Sequence, residues 1–159
     1  MADTQKIQTL LQEALQSEED AKHFYINASK KAQSTAGKKL FSELAAFEQH
    51  HYIQLQKIIQ DHQKNNTLDQ PEEIDTIQHI PSEIKGEFEP NKDEIITVLS
   101  LAIESEKQAQ HRYDTIADLF EDTTSKTIFK TFAQEERNHQ KILEDQVYHL
   151  SNKGTVIWD

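Results

Sequence analysis

Laid on itself at an offset of 88 residues, this 159-residue chain aligns without a gap across two long segments in each half. Leu11 meets Leu99, Ala21 meets Ala109, Tyr25 meets Tyr113, Phe41 meets Phe129 and Leu55 meets Leu143. A unit recurring in this way reads as one supersecondary element used twice. Its internal period says which element. From Ile7 the apolar or small residues fall at Ile7, Leu11, Ala14, Ala21, Tyr25, Ala28 and Ala32, the spacing of a helix with one buried stripe.

Three further segments carry the same stripe. The second holds Phe41, Leu44, Leu55 and Ile58; the third holds Ile95, Leu99, Ala102, Ala109, Tyr113, Ile116 and Phe120; the fourth holds Phe129, Phe132, Leu143 and Leu150. The spacing predicts helices over 7–33, 36–62, 92–121 and 124–150. Asn91 to Glu94 reads as a capping box for the third, and Asp122 as the N-cap of the fourth. Between them, residues 64–90 lose the period and contain Pro71, Pro81, Pro90 and Gly86, with one helical turn expected at 72–77. A connection this long fits a compact domain when it crosses the bundle to join parallel helices. The expectation is an all-α four-helix bundle, one domain over 1–159, made of two repeat-related hairpins and a long crossover.

Composition removes several function classes. A net charge of −11, with no basic cluster to offset it, opposes binding to nucleic acid. The absence of cysteine excludes disulfides, thiolate zinc sites and iron–sulfur or rubredoxin centres. No apolar run is long enough to cross a membrane and the first residues hold no apolar signal core, so a cytoplasmic protein is expected.

The stripes are interrupted at matching places. Glu18 and Glu106 break the first and third, Glu48 with His51 and Glu136 with His139 break the second and fourth, and each pair is related by the repeat. Burying one unpaired carboxylate costs several kcal/mol, and four facing one another repel as well. No Lys or Arg occupies the matching positions, whereas two divalent cations balance four carboxylates. Residues three apart share a helix face, so each Glu-x-x-His pair offers one oxygen and one nitrogen ligand to a common point. Carboxylate-rich sets with open positions suit iron or manganese better than structural zinc.

Segments 14–25 (ALQSEEDAKHFY) and 102–113 (AIESEKQAQHRY) resemble the first and third helices of the rubrerythrin family. Segments 40–51 (LFSELAAFEQHH) and 128–139 (IFKTFAQEERNH) resemble its second and fourth. The resemblance implies a ferritin-like bundle holding two iron ions, with manganese or zinc as possible substitutes. It makes Glu48 and Glu136 the bridging carboxylates, Glu18 and Glu106 terminal ligands on opposite irons, and His51 and His139 one cap for each. Tyr25 and Tyr113 match tyrosines that hydrogen-bond the ligand carboxylates. A typical rubrerythrin also has a helix-three carboxylate about one turn after the first, where this chain has Ala109 and Gln110, and a cysteine-ligated rubredoxin domain, which this chain lacks. The family's ligand switching is therefore not carried over, and electrons must come from a separate protein such as a rubredoxin.

The activity this implies is reduction of hydrogen peroxide or dioxygen, with ferroxidase or iron handling as the alternative and a non-catalytic, metal-stabilised bundle as a third reading. A homodimer is also implied. His23 and His111 fall off the stripe and are expected at the surface or rim, while His50, His62, His79 and His149 lack a partner at ligand spacing. Trp158 is expected to dock the tail on the bundle.

Overall fold

The computed structural model describes residues 4–65 and 86–158. The helix expected at 72–77 and the ring of His79 lie outside these. Four helices carry the fold: α1 (Thr4–Lys31), α2 (Thr35–Asn65), α3 (Lys92–Leu119) and α4 (Thr123–Lys153). They match the stripes read from the sequence and differ at the ends. Helix α1 starts three residues before the expected boundary, α2 continues to Asn65, and α4 continues to Lys153, where Gly154 adopts the left-handed conformation (φ 69°) and donates to the Leu150 carbonyl. Terminal turns need no apolar stripe once a cap satisfies their backbone groups. The ladder between β1 (Glu87–Phe88) and β2 (Thr155–Val156), antiparallel with Glu87 opposite Val156, has no counterpart in the helical period.

Helix α1 packs along α2, α3 along α4, and the hairpins meet through α1 and α3. Asn91, just before α3, donates to the Lys31 carbonyl at the end of α1 (2.9 Å). At the opposite end, His62 of α2 contacts Gln8 of α1 and the ring of Phe120 after α3. Helices α2 and α3 therefore run parallel. No described helix is long and apolar enough to cross a membrane.

The core is divided. One apolar cluster gathers Leu11, Leu55, Ile58, Ile116, Phe120 and Phe129; the other gathers Ala28, Phe41, Leu44, Leu99, Leu143 and Leu150. Between them lies the layer of buried glutamates and histidines. Trp158 donates its indole N–H to Glu43, and the Gln146 side chain makes two hydrogen bonds to the Ile157 backbone (2.7 and 2.9 Å), so the tail docks on the bundle as expected.

The start of α2 is satisfied from a distance. Glu87 accepts from the N–H groups of Thr35 (2.8 Å) and Ala36 (3.0 Å), and the Ser34 hydroxyl accepts from Gly37 (2.9 Å). Glu89, fully buried, accepts from the backbone N–H groups of Gln33, Ser34 and Asn91 and from the Ser34 hydroxyl. A Cβ at Gly37 would come within 2.7 Å of the Ser34 oxygen and 2.9 Å of Glu89, so any larger residue there would have to displace the Ser34–Glu89 pair. Asp122 caps α4 as expected, accepting from the Ser125 N–H at 2.8 Å. The capping box at α3 does not form: the Asn91 side chain donates to Lys31 and Glu94 and caps no helical N–H, because its backbone N–H is held by Glu89.

Burial opposes ionisation of Glu89, but hydrogen bonds from Ser34, Asn91 and Gln33 hold its carboxyl below the ordinary value. Its folded pKa is thus depressed, and its contribution is present above the unfolded value and lost as pH falls through the folded one. Glu89→Ala should lower unfolding free energy by roughly 2–4 kcal/mol at neutral pH, measured by urea titration, because it strands buried donors. The difference from wild type should shrink as pH is taken below 4. A neutral effect would mean the anchor contributes nothing to the fold.

Candidate metal centre

The six side chains singled out by the repeat converge in the middle of the bundle, each buried. One turn of each helix delivers them: α1 supplies Glu18, α2 Glu48 and His51, α3 Glu106, and α4 Glu136 and His139. They form two groups of four, Glu18, Glu48, His51 and Glu136, and Glu48, Glu106, Glu136 and His139, with the candidate ligand atoms of each group within 4.8 Å of one another. Glu48 and Glu136 belong to both. The Nδ1 of His51 lies 3.3 Å from Glu18 and 3.2 Å from Glu136, and that of His139 lies 3.6 Å from Glu48, Glu106 and Glu136.

The tyrosines cross between hairpins. Tyr25 of α1 donates to Glu106 of α3 (2.6 Å), and Tyr113 of α3 donates to Glu18 of α1. Each ring stacks on its hairpin's phenylalanine, Tyr25 on Phe41 and Tyr113 on Phe129, with centroids 6.3 Å apart in both cases. Burial and nearby carboxylate charge push both phenols well above their ordinary pKa, so they stay protonated donors.

Burial, with the charges of Glu136 and Glu18, drives the Glu48 carboxyl well above its ordinary pKa; burial, with the charges of Glu106 and Glu18, does the same to Glu136. Glu18 moves down: burial opposes this, but a proton shared with Glu48 and the charge of His51 prevail. Glu106 is also lowered, because His139 and the Tyr25 hydroxyl outweigh its burial. The His51 ring is raised despite burial by the charge of Glu18 and by its hydrogen bonds to Glu135 and Glu136.

The donor set fits a metal pair. Glu18 Oε2, both oxygens of Glu48 and Glu106 Oε2 accept no hydrogen bond from a protein donor, and neither nitrogen of His139 has a partner. Buried polar atoms are normally satisfied, and these face one another across two points. A cavity of about 370 Å³ reaches them from the surface between α1 and α3, past Ala21, Phe24, Leu101 and Ala109. Ala109, one of the two residues, with Gln110, that stand where a typical rubrerythrin is expected to carry a further carboxylate, forms part of this wall. A larger groove of about 710 Å³ along Thr4, Gln8, Gln12 and His62 shares no residue with the cluster.

The other histidines fall largely as expected. His23, His50 and His111 are exposed, His23 pairing with Glu19 at 2.9 Å. His62 is buried in the end contact described above. The sequence reading did not single out Glu135, which is buried and accepts from His51 Nε2 at 2.6 Å. The available signal was a break in the repeat: its counterpart at position 47 is Phe.

A four-helix bundle with a buried carboxylate–imidazole layer able to hold metal defines the class. The rubrerythrin family model matches residues 9–95 and 97–155, so the chain belongs to the rubrerythrin family. A solved structure of a hypothetical protein from Pyrococcus furiosus shares the fold, with a TM-score of 0.72, 23% identity, and 92% of this chain and 90% of that chain covered. No curated protein matches.

Glu48 and Glu136 have folded pKa values above their unfolded ones, so stripped of metal they contribute stability that is lost as pH rises through the folded values. Chelator-treated protein should therefore melt lower as pH is raised from 5 towards 8. Glu48→Gln combined with Glu136→Gln keeps the shape and removes the part of this dependence that the two carboxyls carry, leaving that of His51, and should melt higher than chelator-treated wild type at pH 8 while gaining far less from added Mn(II). Identical melting of the chelated, metal-loaded and doubly substituted proteins would rule out a charged core.

Proposed function

We propose that this protein is a non-haem di-iron oxidoreductase that reduces hydrogen peroxide or dioxygen with electrons from an external donor. The observation that carries the reading is the sharing of Glu48 and Glu136 between two otherwise separate ligand groups. That geometry suits two ions held side by side, as two-metal catalysis requires. Glu18 with His51, and Glu106 with His139, would complete one ion each. Iron is the ion favoured by the family, with manganese or zinc able to substitute.

Reduction of peroxide to two waters takes two electrons and two protons; a ferrous pair held by these six residues would supply the electrons, and an external donor would restore them. The chain's own residues do the rest. The cavity between α1 and α3 admits a small oxidant to the carboxylates. Tyr25 and Tyr113, protonated, fix the orientation of Glu106 and Glu18, while the apolar clusters above and below exclude bulk water. Having no cysteine, the chain needs a separate electron-carrying protein, such as a rubredoxin. We further propose that it works in the cytoplasm as a homodimer.

Ferroxidase or iron-handling activity is a second reading. It is favoured by the lack of a second helix-three carboxylate at Ala109 and Gln110, Ala109 lining the cavity wall. A bundle that keeps metal for stability alone is the third.

Protein purified anaerobically should contain about two iron ions per chain. The ferrous form should consume hydrogen peroxide stoichiometrically and turn over when a rubredoxin and its reductase are added. Glu48→Ala or Glu136→Ala should lose metal at both positions, whereas Glu18→Ala should weaken mainly one. Oxidation by dioxygen with iron release, and no peroxide turnover, would favour the ferroxidase reading. Metal binding without either reaction would leave the structural one.

A further inference from the structure

The repeat makes the two halves of the centre equivalent in their six buried ligand candidates, and breaks that equivalence directly behind the imidazoles. Positions 47 and 135 correspond under the 88-residue offset, and they are Phe and Glu. Glu135 projects from α4 across to α2 and accepts from His51 Nε2 at 2.6 Å. His139 has no carboxylate in the equivalent place. Its ring meets Phe47 edge to face, with centroids 4.3 Å apart, and Phe47 also meets the His51 ring at 4.7 Å; the Nε2 of His139 has no hydrogen-bond partner, whereas that of His51 has Glu135. His51 is also gripped on its face by Phe132, stacked at 4.6 Å, whose repeat counterpart is Leu44.

An imidazole binds a metal through one nitrogen, and the bond made by the other fixes the tautomer, the ring orientation and the basicity of the ligating atom. With its Nε2–H held by Glu135, His51 presents Nδ1 as the lone-pair nitrogen towards Glu18 and Glu136. A phenyl ring offers His139 at most a weak N–H···π contact. We propose that Glu135 is a positioning residue that makes the metal position beside His51 the tighter of the two, and that Phe47 leaves the position beside His139 weaker and more readily exchanged. This rests on the metal-centre reading above, and it makes a symmetric ligand set functionally asymmetric: one resident ion and one that comes and goes.

Mn(II) is a suitable probe, because it resists oxidation and its free form is counted directly by electron paramagnetic resonance. Wild type should bind two ions in steps separated by at least about tenfold. His51→Ala should remove the tighter step, and His139→Ala the weaker. Glu135→Ala should weaken the tighter step by roughly 10–100-fold and leave the weaker one in place. Glu135→Gln, which preserves shape and an acceptor oxygen, should recover part of that loss. Phe47→Glu should strengthen the weaker step. Circular dichroism of each metal-free variant, with wild-type helicity expected, separates lost affinity from lost folding. Two indistinguishable steps in wild type, or equal weakening of both steps by Glu135→Ala, would overturn the asymmetry and leave the metal centre standing. If neither wild type nor any variant binds Mn(II), or Fe(II) under the same anaerobic conditions, the metal centre itself fails.

Discussion

Everything in this bundle is arranged around mutual repulsion between four buried carboxylates. Glu18, Glu48, Glu106 and Glu136 lie in one layer between two apolar clusters, where burial weakens screening by bulk water. Burial and mutual charge favour protonation of Glu48, Glu136 and His51, which lessens that repulsion, and hydrogen bonds from Tyr25 and Tyr113 lessen it further. Two divalent cations would relieve most of it. An apolar layer of the same shape would be more stable by itself, so a layer like this points to metal chemistry better than to stability.

The pseudo-twofold relation distributes that layer evenly. Each tyrosine ties the opposite hairpin's glutamate, so α1 and α3 are linked by two reciprocal buried hydrogen bonds at the interface where the hairpins meet. Departures from the symmetry are informative for the same reason. Phe47 against Glu135, and Leu44 against Phe132, alter what stands behind the imidazoles and leave the inward-facing ligand candidates unchanged.

Outside the layer, the end of the crossover serves as an anchor. Glu87 and Glu89 bring negative charge to the exposed N–H groups at the start of α2, where the helix dipole favours it. Glu87 also pairs in the short ladder with the tail that follows α4. One segment thereby fastens both hairpins and the C-terminal end together, beside the Trp158 contact to Glu43.

The helices, their buried stripes and the six convergent side chains were legible in the sequence, because a helix converts a spacing of three or four residues into a shared face without help from the rest of the chain. Glu18, Glu48, His51, Glu106, Glu136 and His139 stood out because they are polar on apolar stripes and recur at a fixed offset. Glu89, Glu87 and Glu135 did not, because an acidic residue off the stripe looks the same whether it faces solvent or a distant donor. Only the packing put Glu89 against Ser34, 55 residues away, and Glu135 against His51, 84 residues away. The capping box expected at Asn91 fails to form for the same reason: a local motif gave way to a stronger acceptor brought in by Glu89. Local periodicity determined the ligand-bearing faces, and long-range burial of hydrogen-bonding groups decided what holds them in place.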